Sequence, residues 1–165
     1  MQKELPVRKH PRWKGYNYSS NGAYFITICV KSGNEMLGQI VGRDDPGAPC
    51  LELSEYGLIA KKYIESIDKY YKGITVDKYV IMTHHIHMII FVDRNGAPRS
   101  SRPTTALIPN MVASFKKLTN KEFGFNIWQD SYNDRVIRDK DEYLRIWHYI
   151  DTNPTKWAEE RYYAE

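Results

Sequence analysis

The residues with the most evident chemical potential are His85 and His87, one residue apart within the apolar run that extends from Ile81 to Val92. In an extended strand, alternation puts His85, His87, Ile89 and Phe91 on one face and Ile86, Met88, Ile90 and Val92 on the other. Two imidazoles then project side by side from a rigid ladder, and desolvating them together costs free energy unless a partner satisfies both rings. Neutral imidazoles at this spacing can share one divalent ion or grip a phosphate. Met88, Ile89 and Ile90 follow, with no acid or histidine at hydrolase spacing, so a three-histidine zinc hydrolase is disfavoured. The third ligand has to come from elsewhere.

A helix near the carboxyl end supplies a candidate. At about 100° per residue, Tyr143, Ile146, Trp147 and Ile150 form an inward stripe, while Tyr149 and Asn153 lie one turn apart on its flank. The amide oxygen of Asn153 is a hard ligand of the kind that suits magnesium or manganese, and the Tyr149 phenol one turn away would be a nucleophile beside a Lewis acid. With 13 tyrosines in the chain, helix geometry alone favours an ordinary boundary tyrosine and a helix C-cap.

These groups must be positioned by the elements around them. Ala23 to Val30 reads as a strand between turn residues, and Met36 to Val41 is expected to pair back with it as a hairpin. Ser54 reads as an N-cap, followed by Tyr56, Ile59, Ala60, Tyr63, Ile64 and Ile67 as the stripe of an amphipathic helix. Thr75 to Met82 and His85 to Val92 read as two antiparallel strands joined at Thr83-His84, with His84 a turn residue directed away from the histidine face. Arg94 to Thr105 is a Gly, Pro, Ser and Arg-rich loop. A second helix spans roughly Ala106 to Glu122, with Leu107, Ile108, Met111, Val112, Phe115 and Leu118 inward. A short strand at Asp134 to Arg138 precedes the third helix, which runs from about Lys140 and is expected to stop near Asn153, because Pro154 disfavours helical geometry in the residue before it. The order predicts an α+β fold of ferredoxin-like type: an antiparallel sheet with two helices on one face and the C-terminal helix near the other.

Composition narrows the class. At 165 residues, 42% hydrophobic and 27% charged, the chain is ordinary for one globular domain, not for a disordered or collagen-like one. No apolar run approaches the ~18 residues that cross a bilayer, so no membrane association and a cytoplasmic location are expected. Cys29 and Cys50 lack metal-site spacing and read as free thiols. The net charge of +4 is contained in the first 14 residues, where Lys3, Arg8, Lys9, Arg12 and Lys14 face only Glu4. Such an arm suits a phosphate backbone, and equally a solvated terminus that binds nothing.

Taken together, the basic arm, NGAYFITICV, VIMTHHIHMII, SFKKLT and WQDSYNDRVIRDKDEYLRIWHYIDTNP resemble, in order, the HUH-type single-tyrosine transposases, specifically the REP-associated tyrosine transposases of the IS200-like group. The resemblance implies a basic N-terminal arm at 1–22, an HUH transposase or nuclease domain at 23–153 and a short tail at 154–165. It makes His85, His87 and Asn153 the ligands of a magnesium or manganese ion and Tyr149 the nucleophile. It implies nicking and strand transfer on single-stranded or hairpin, REP-like DNA through a 5′-phosphotyrosine, and leaves monomer and homodimer both open. Arg8, Lys9, Arg12, Lys14, Lys116, Lys117, Arg135 and Arg138 become candidates for backbone contact, and Trp13 or Trp128 for base stacking. Thr83-His84 and Asn133 depart from the commoner family residues. Two alternatives stay open: a host-adapted nicking endonuclease without transposition, and a non-catalytic single-strand binding module.

Overall fold

A computed structural model of the chain describes residues 17, 20–41, 50–95 and 107–163, with side chains described as far as Trp157. The elements are β1 (Gly22–Cys29), a 3-10 turn (Lys31–Gly33), β2 (Gly38–Val41), β3 (Cys50–Leu53), α1 (Glu55–Ile64), the single turn α2 (Ile67–Tyr70), β4 (Ile74–Ile81), β5 (His85–Val92), α3 (Leu107–Phe123), β6 (Asn133–Ile137) and α4 (Lys140–Tyr163). The main sheet has the order β4-β5-β1-β6, antiparallel throughout. Two split units, β1-α1-β4 and β5-α3-β6, interlock in it, which is the ferredoxin-like arrangement.

Side-chain alternation divides the apolar residues between the two faces as the strand pattern requires. Tyr24, Ile26 and Ile28 of β1 and Ile86, Met88 and Ile90 of β5 are buried with α1 and α3. On the opposite face Ile89, Ile137 and Ile150 form a smaller cluster with Phe25, Val80, Tyr143 and Ile146, which seats α4. Local signals set the helix starts. Ser54 Oγ accepts the Gly57 amide at 3.2 Å and donates to the Met36 carbonyl. At α4, Asp139 Oδ1 accepts the Glu142 amide at 2.8 Å while Glu142 Oε2 accepts the Arg138 amide at 2.9 Å, so both side chains cap the start of the helix.

Four expectations are corrected. β2 does not pair with β1, whose two edges are already taken by β5 and β6; it forms a separate hairpin with β3. Leu118 is exposed, and the inward position after Phe115 belongs to Thr119, whose hydroxyl accepts the Trp128 indole N–H at 2.8 Å. Trp128 is thereby a core residue packed on Phe115 and Phe123 and is not available to stack on bases. α4 does not end at Asn153 but continues through Pro154. A proline inside a helix costs roughly 3 kcal/mol, and the turn beyond it is held by Trp157, which packs 5.1 Å from the ring of His84. No helix among the described residues is long and apolar enough to cross a membrane.

Candidate active site

β5 presents His85 and His87 on the face covered by α4, their ring centroids 4.5 Å apart. The sheet register places Val80, His87, Thr27 and Asn133 in one row across the four strands, so Thr27 stands directly beside His87. Its Oγ1 lies 2.8 Å from His87 Nδ1. Two residues along the same face of β1, Phe25 stacks on the His87 ring at 5.2 Å and holds the plane of the imidazole.

α4 crosses this face, anchored by polar contacts at the rim. Lys78 Nζ reaches Asp151 at 2.6 Å and sits 3.4 Å over the Trp147 ring; Arg135 pairs with the buried carboxylate of Glu142; the Tyr143 hydroxyl donates to Asp77. Trp147, expected in the inward stripe, is accordingly half-exposed beneath Lys78. Docked in this way, α4 brings the Tyr149 hydroxyl to 3.4 Å from His87 Nε2. Tyr149, Asn153 and Trp157 are spaced four residues apart and share one face of the helix. Tyr149 meets His87 and Trp157 meets His84 and His85, at 5.1 and 6.1 Å, and Asn153 lies between those two residues along the helix. Asn153 is buried and its Nδ2 has no hydrogen-bond partner. The two ends of an amide are distinguished only by their hydrogen bonds, and none fixes this end.

Burial lowers both imidazoles. His85 is pushed down to about 4 by desolvation and then by the charge of His84; His87 is pushed down to about 3 by desolvation and then by His85 and His84. At neutral pH both rings are neutral, so each offers one nitrogen lone pair to a cation. Among the described residues no three histidine, cysteine or carboxylate side chains converge to hold a metal. An ion held by the two imidazoles therefore needs a neutral third donor, and the unsatisfied buried amide of Asn153 fits that need once turned to present its oxygen.

His84 corrects the expectation that it points away. It lies in the two-residue turn, closed by the Met82 amide to the His85 carbonyl, where strand alternation does not apply. Its Nε2 is 3.3 Å from His85 Nδ1, and Thr83 Oγ1 is 3.1 Å from its own Nδ1. The basic candidates divide. Lys116 donates to the carbonyls of Gln129, Asp130 and Ser131, so its ammonium is committed to holding that loop. Lys117 and Arg138 are exposed, and Arg135 is 67% exposed on the same sheet face as Phe25 despite its pairing with Glu142. Arg8, Lys9, Arg12, Trp13 and Lys14 lie outside the described residues. Thr27, Phe25 and Trp157 were not identified from sequence. The alternation of the first strand puts Phe25 and Thr27 on one face, but only the register sets that face beside His87.

No family model matches the chain. An uncharacterized protein of Haemophilus influenzae is 31% identical to it over 176 residues, covering 96% of this chain and 94% of that protein. Among solved structures, a REP-associated tyrosine transposase bound to a REP hairpin matches with a TM-score of 0.62 over 91% of this chain and 74% of that chain. Its sequence identity is 18%, so the likeness is one of fold.

Proposed function

The chain belongs to one family with the Haemophilus influenzae protein and has the fold of the REP-associated tyrosine transposase, and on this basis we propose that it is itself a metal-dependent tyrosine transposase. It nicks and rejoins single-stranded or hairpin, REP-like DNA. The observation that carries the reading is the 3.4 Å approach of the Tyr149 hydroxyl to His87 Nε2, with the buried amide of Asn153, its Nδ2 without a hydrogen-bond partner, one turn further on.

The Tyr149 oxygen attacks phosphorus in line with the leaving 3′ oxygen. A P–O bond to tyrosine forms, the P–O3′ bond breaks, and the strand ends as a free 3′-hydroxyl and a 5′-phosphotyrosine. Because one phosphodiester is exchanged for another, a 3′-hydroxyl can attack the adduct and rejoin strands without a nucleotide cofactor. A bound magnesium or manganese ion, held by His85, His87 and Asn153, would supply the positive charge that a phenol with an ordinary pKa near 10 needs at neutral pH. With the free nitrogen of His87 engaged in holding the ion, that ring would not take the phenolic proton, which leaves through the half-exposed side of Tyr149. Phe25 holds the His87 ring upright, and Thr27 ties its far nitrogen. Lys117, Arg135, Arg138 and the basic segment with Arg8, Lys9, Arg12 and Lys14 supply cations for the DNA backbone.

The test is a covalent adduct. Labelled hairpin DNA with a single-stranded flank should become attached to the protein in the presence of manganese, survive boiling in detergent, and be lost in chelator and in Tyr149→Phe. An adduct retained by Tyr149→Phe would overturn the assignment of the nucleophile. Reversible binding alone, indifferent to manganese and to that substitution, would leave a single-strand binding module in its place.

A further inference from the structure

Each of the two site histidines is approached from behind by another polar group. Thr27 Oγ1 lies 2.8 Å from His87 Nδ1, and His84 Nε2 lies 3.3 Å from His85 Nδ1. Thr83 Oγ1, on a fully buried residue, lies 3.1 Å from His84 Nδ1 in turn. Both Nδ1 atoms are thus occupied by the fold itself. The nitrogen left on each ring is Nε2, and that of His87 meets Tyr149.

Each such contact holds one hydrogen, and two placements are self-consistent. In the first, His87 Nδ1–H donates to Thr27 and the Tyr149 hydroxyl donates to a bare Nε2. In the second, Thr27 donates to Nδ1 and Nε2–H donates to the phenol oxygen. The first joins the more acidic donor, a phenol, to the more basic acceptor, an imidazole nitrogen; the second joins a weakly acidic N–H to a weakly basic phenol oxygen. The first is therefore the stronger network. Along the other branch the placement that leaves His85 Nε2 for an ion runs from His85 Nδ1–H to His84 Nε2 and from His84 Nδ1–H to Thr83 Oγ1, and it too gives every donor an acceptor.

We propose that Thr27 and His84 are positioning residues that hold His87 and His85 as their Nδ1–H tautomers, with both Nε2 lone pairs bare. Resting on the metal-dependent reading above, the proposal identifies Nε2 as the ligating atom of both rings and the side chains that keep it so. A histidine whose second nitrogen is held in this way is fixed in tautomer and orientation, and loss of such a partner typically weakens metal binding ~10–100-fold.

The full chain, free of metal and at neutral pH, allows a direct reading through nitrogen-15 NMR shifts of the histidine side chains. His85 and His87 should both carry their proton on Nδ1. Thr27→Val and His84→Phe should each release the corresponding ring into a tautomer mixture and weaken binding of Mn2+ alone, followed by electron paramagnetic resonance, by ~10–100-fold. Thr27→Ser and His84→Gln retain an acceptor oxygen and should restore both readouts, which separates positioning from misfolding. A wild-type His85 or His87 with its proton on Nε2 overturns the proposal. So do Thr27→Val and His84→Phe variants whose tautomers and Mn2+ affinity match the wild type. The expected tautomers in a wild-type protein that binds no Mn2+ would uphold the positioning role and sink the metal-dependent function instead.

Discussion

The hydroxyl of Tyr149 and Nε2 of His87 stand 3.4 Å apart although the residues are separated by 62 positions in the same chain. Strand β5 and helix α4 meet across the sheet face within one molecule, so the candidate nucleophile and the candidate metal ligand need no second copy to come together.

That relationship makes the proposed activity a property of single protomers. Tyr149→Phe and His87→Ala, each inactive alone, should stay inactive when mixed, whatever the oligomeric state. Recovery of adduct formation in the mixture would mean that helices are exchanged between subunits. Tyr149 is 48% exposed, so its substitution by Phe should change unfolding free energy by no more than about 0.5 kcal/mol, read from denaturant melts.

The buried pair Thr119 and Trp128 predicts a stability effect remote from the site. Thr119→Val removes the acceptor of the indole N–H and leaves that donor buried without a partner. A loss of about 1–3 kcal/mol is expected in denaturant unfolding, with DNA adduct formation retained below the melting transition.

Stability should also fall on acidification. Burial holds His85 near 4 and His87 near 3, below the ~6.5 of an exposed imidazole. As pH drops from about 6.5 toward those values, the unfolded chain takes up protons that the folded chain refuses, so the unfolded state gains; above 6.5 the contribution is complete. The thermal midpoint should decline between pH 6.5 and 5, and His85→Gln/His87→Gln should flatten the decline. Equal slopes in both proteins would dismiss the two buried histidines as its cause.

The neighbouring lysines of α3 should separate in their effects. Lys117→Ala should reduce the salt dependence of single-stranded DNA binding by about 0.7 in the logarithmic slope, the value for one backbone contact. Lys116→Ala should leave that slope unchanged and lower the melting temperature, because the Lys116 ammonium holds three carbonyls of the 129–131 loop. A slope change for Lys116 alone would reverse the assignment.

Much of this was legible from local pattern. The period-two alternation of β5 places both histidines on one face, the 3.6-residue period places Tyr149 and Asn153 on one side of a helix, and Ser54 marks a helix start, because each depends only on residues a few positions apart. The limits were equally local. Leu118 fits a helical stripe as well as Thr119 does, and what turns the helix is a hydrogen bond to Trp128 nine residues away. Pro154 signals a stop in isolation, yet α4 continues to Tyr163, with Trp157 packed on the ring of His84. Sequence by itself thus determined the strand and helix types, most of the faces they bury and the candidate set of histidine, tyrosine and asparagine. The tertiary structure alone decided which strand lies beside which, and with it that Thr27 and Phe25 support His87, that β2 turns to β3, and that His84 turns toward His85. Those outcomes rest on register and docking between distant segments, whose free energies come from contacts that no short window of residues contains.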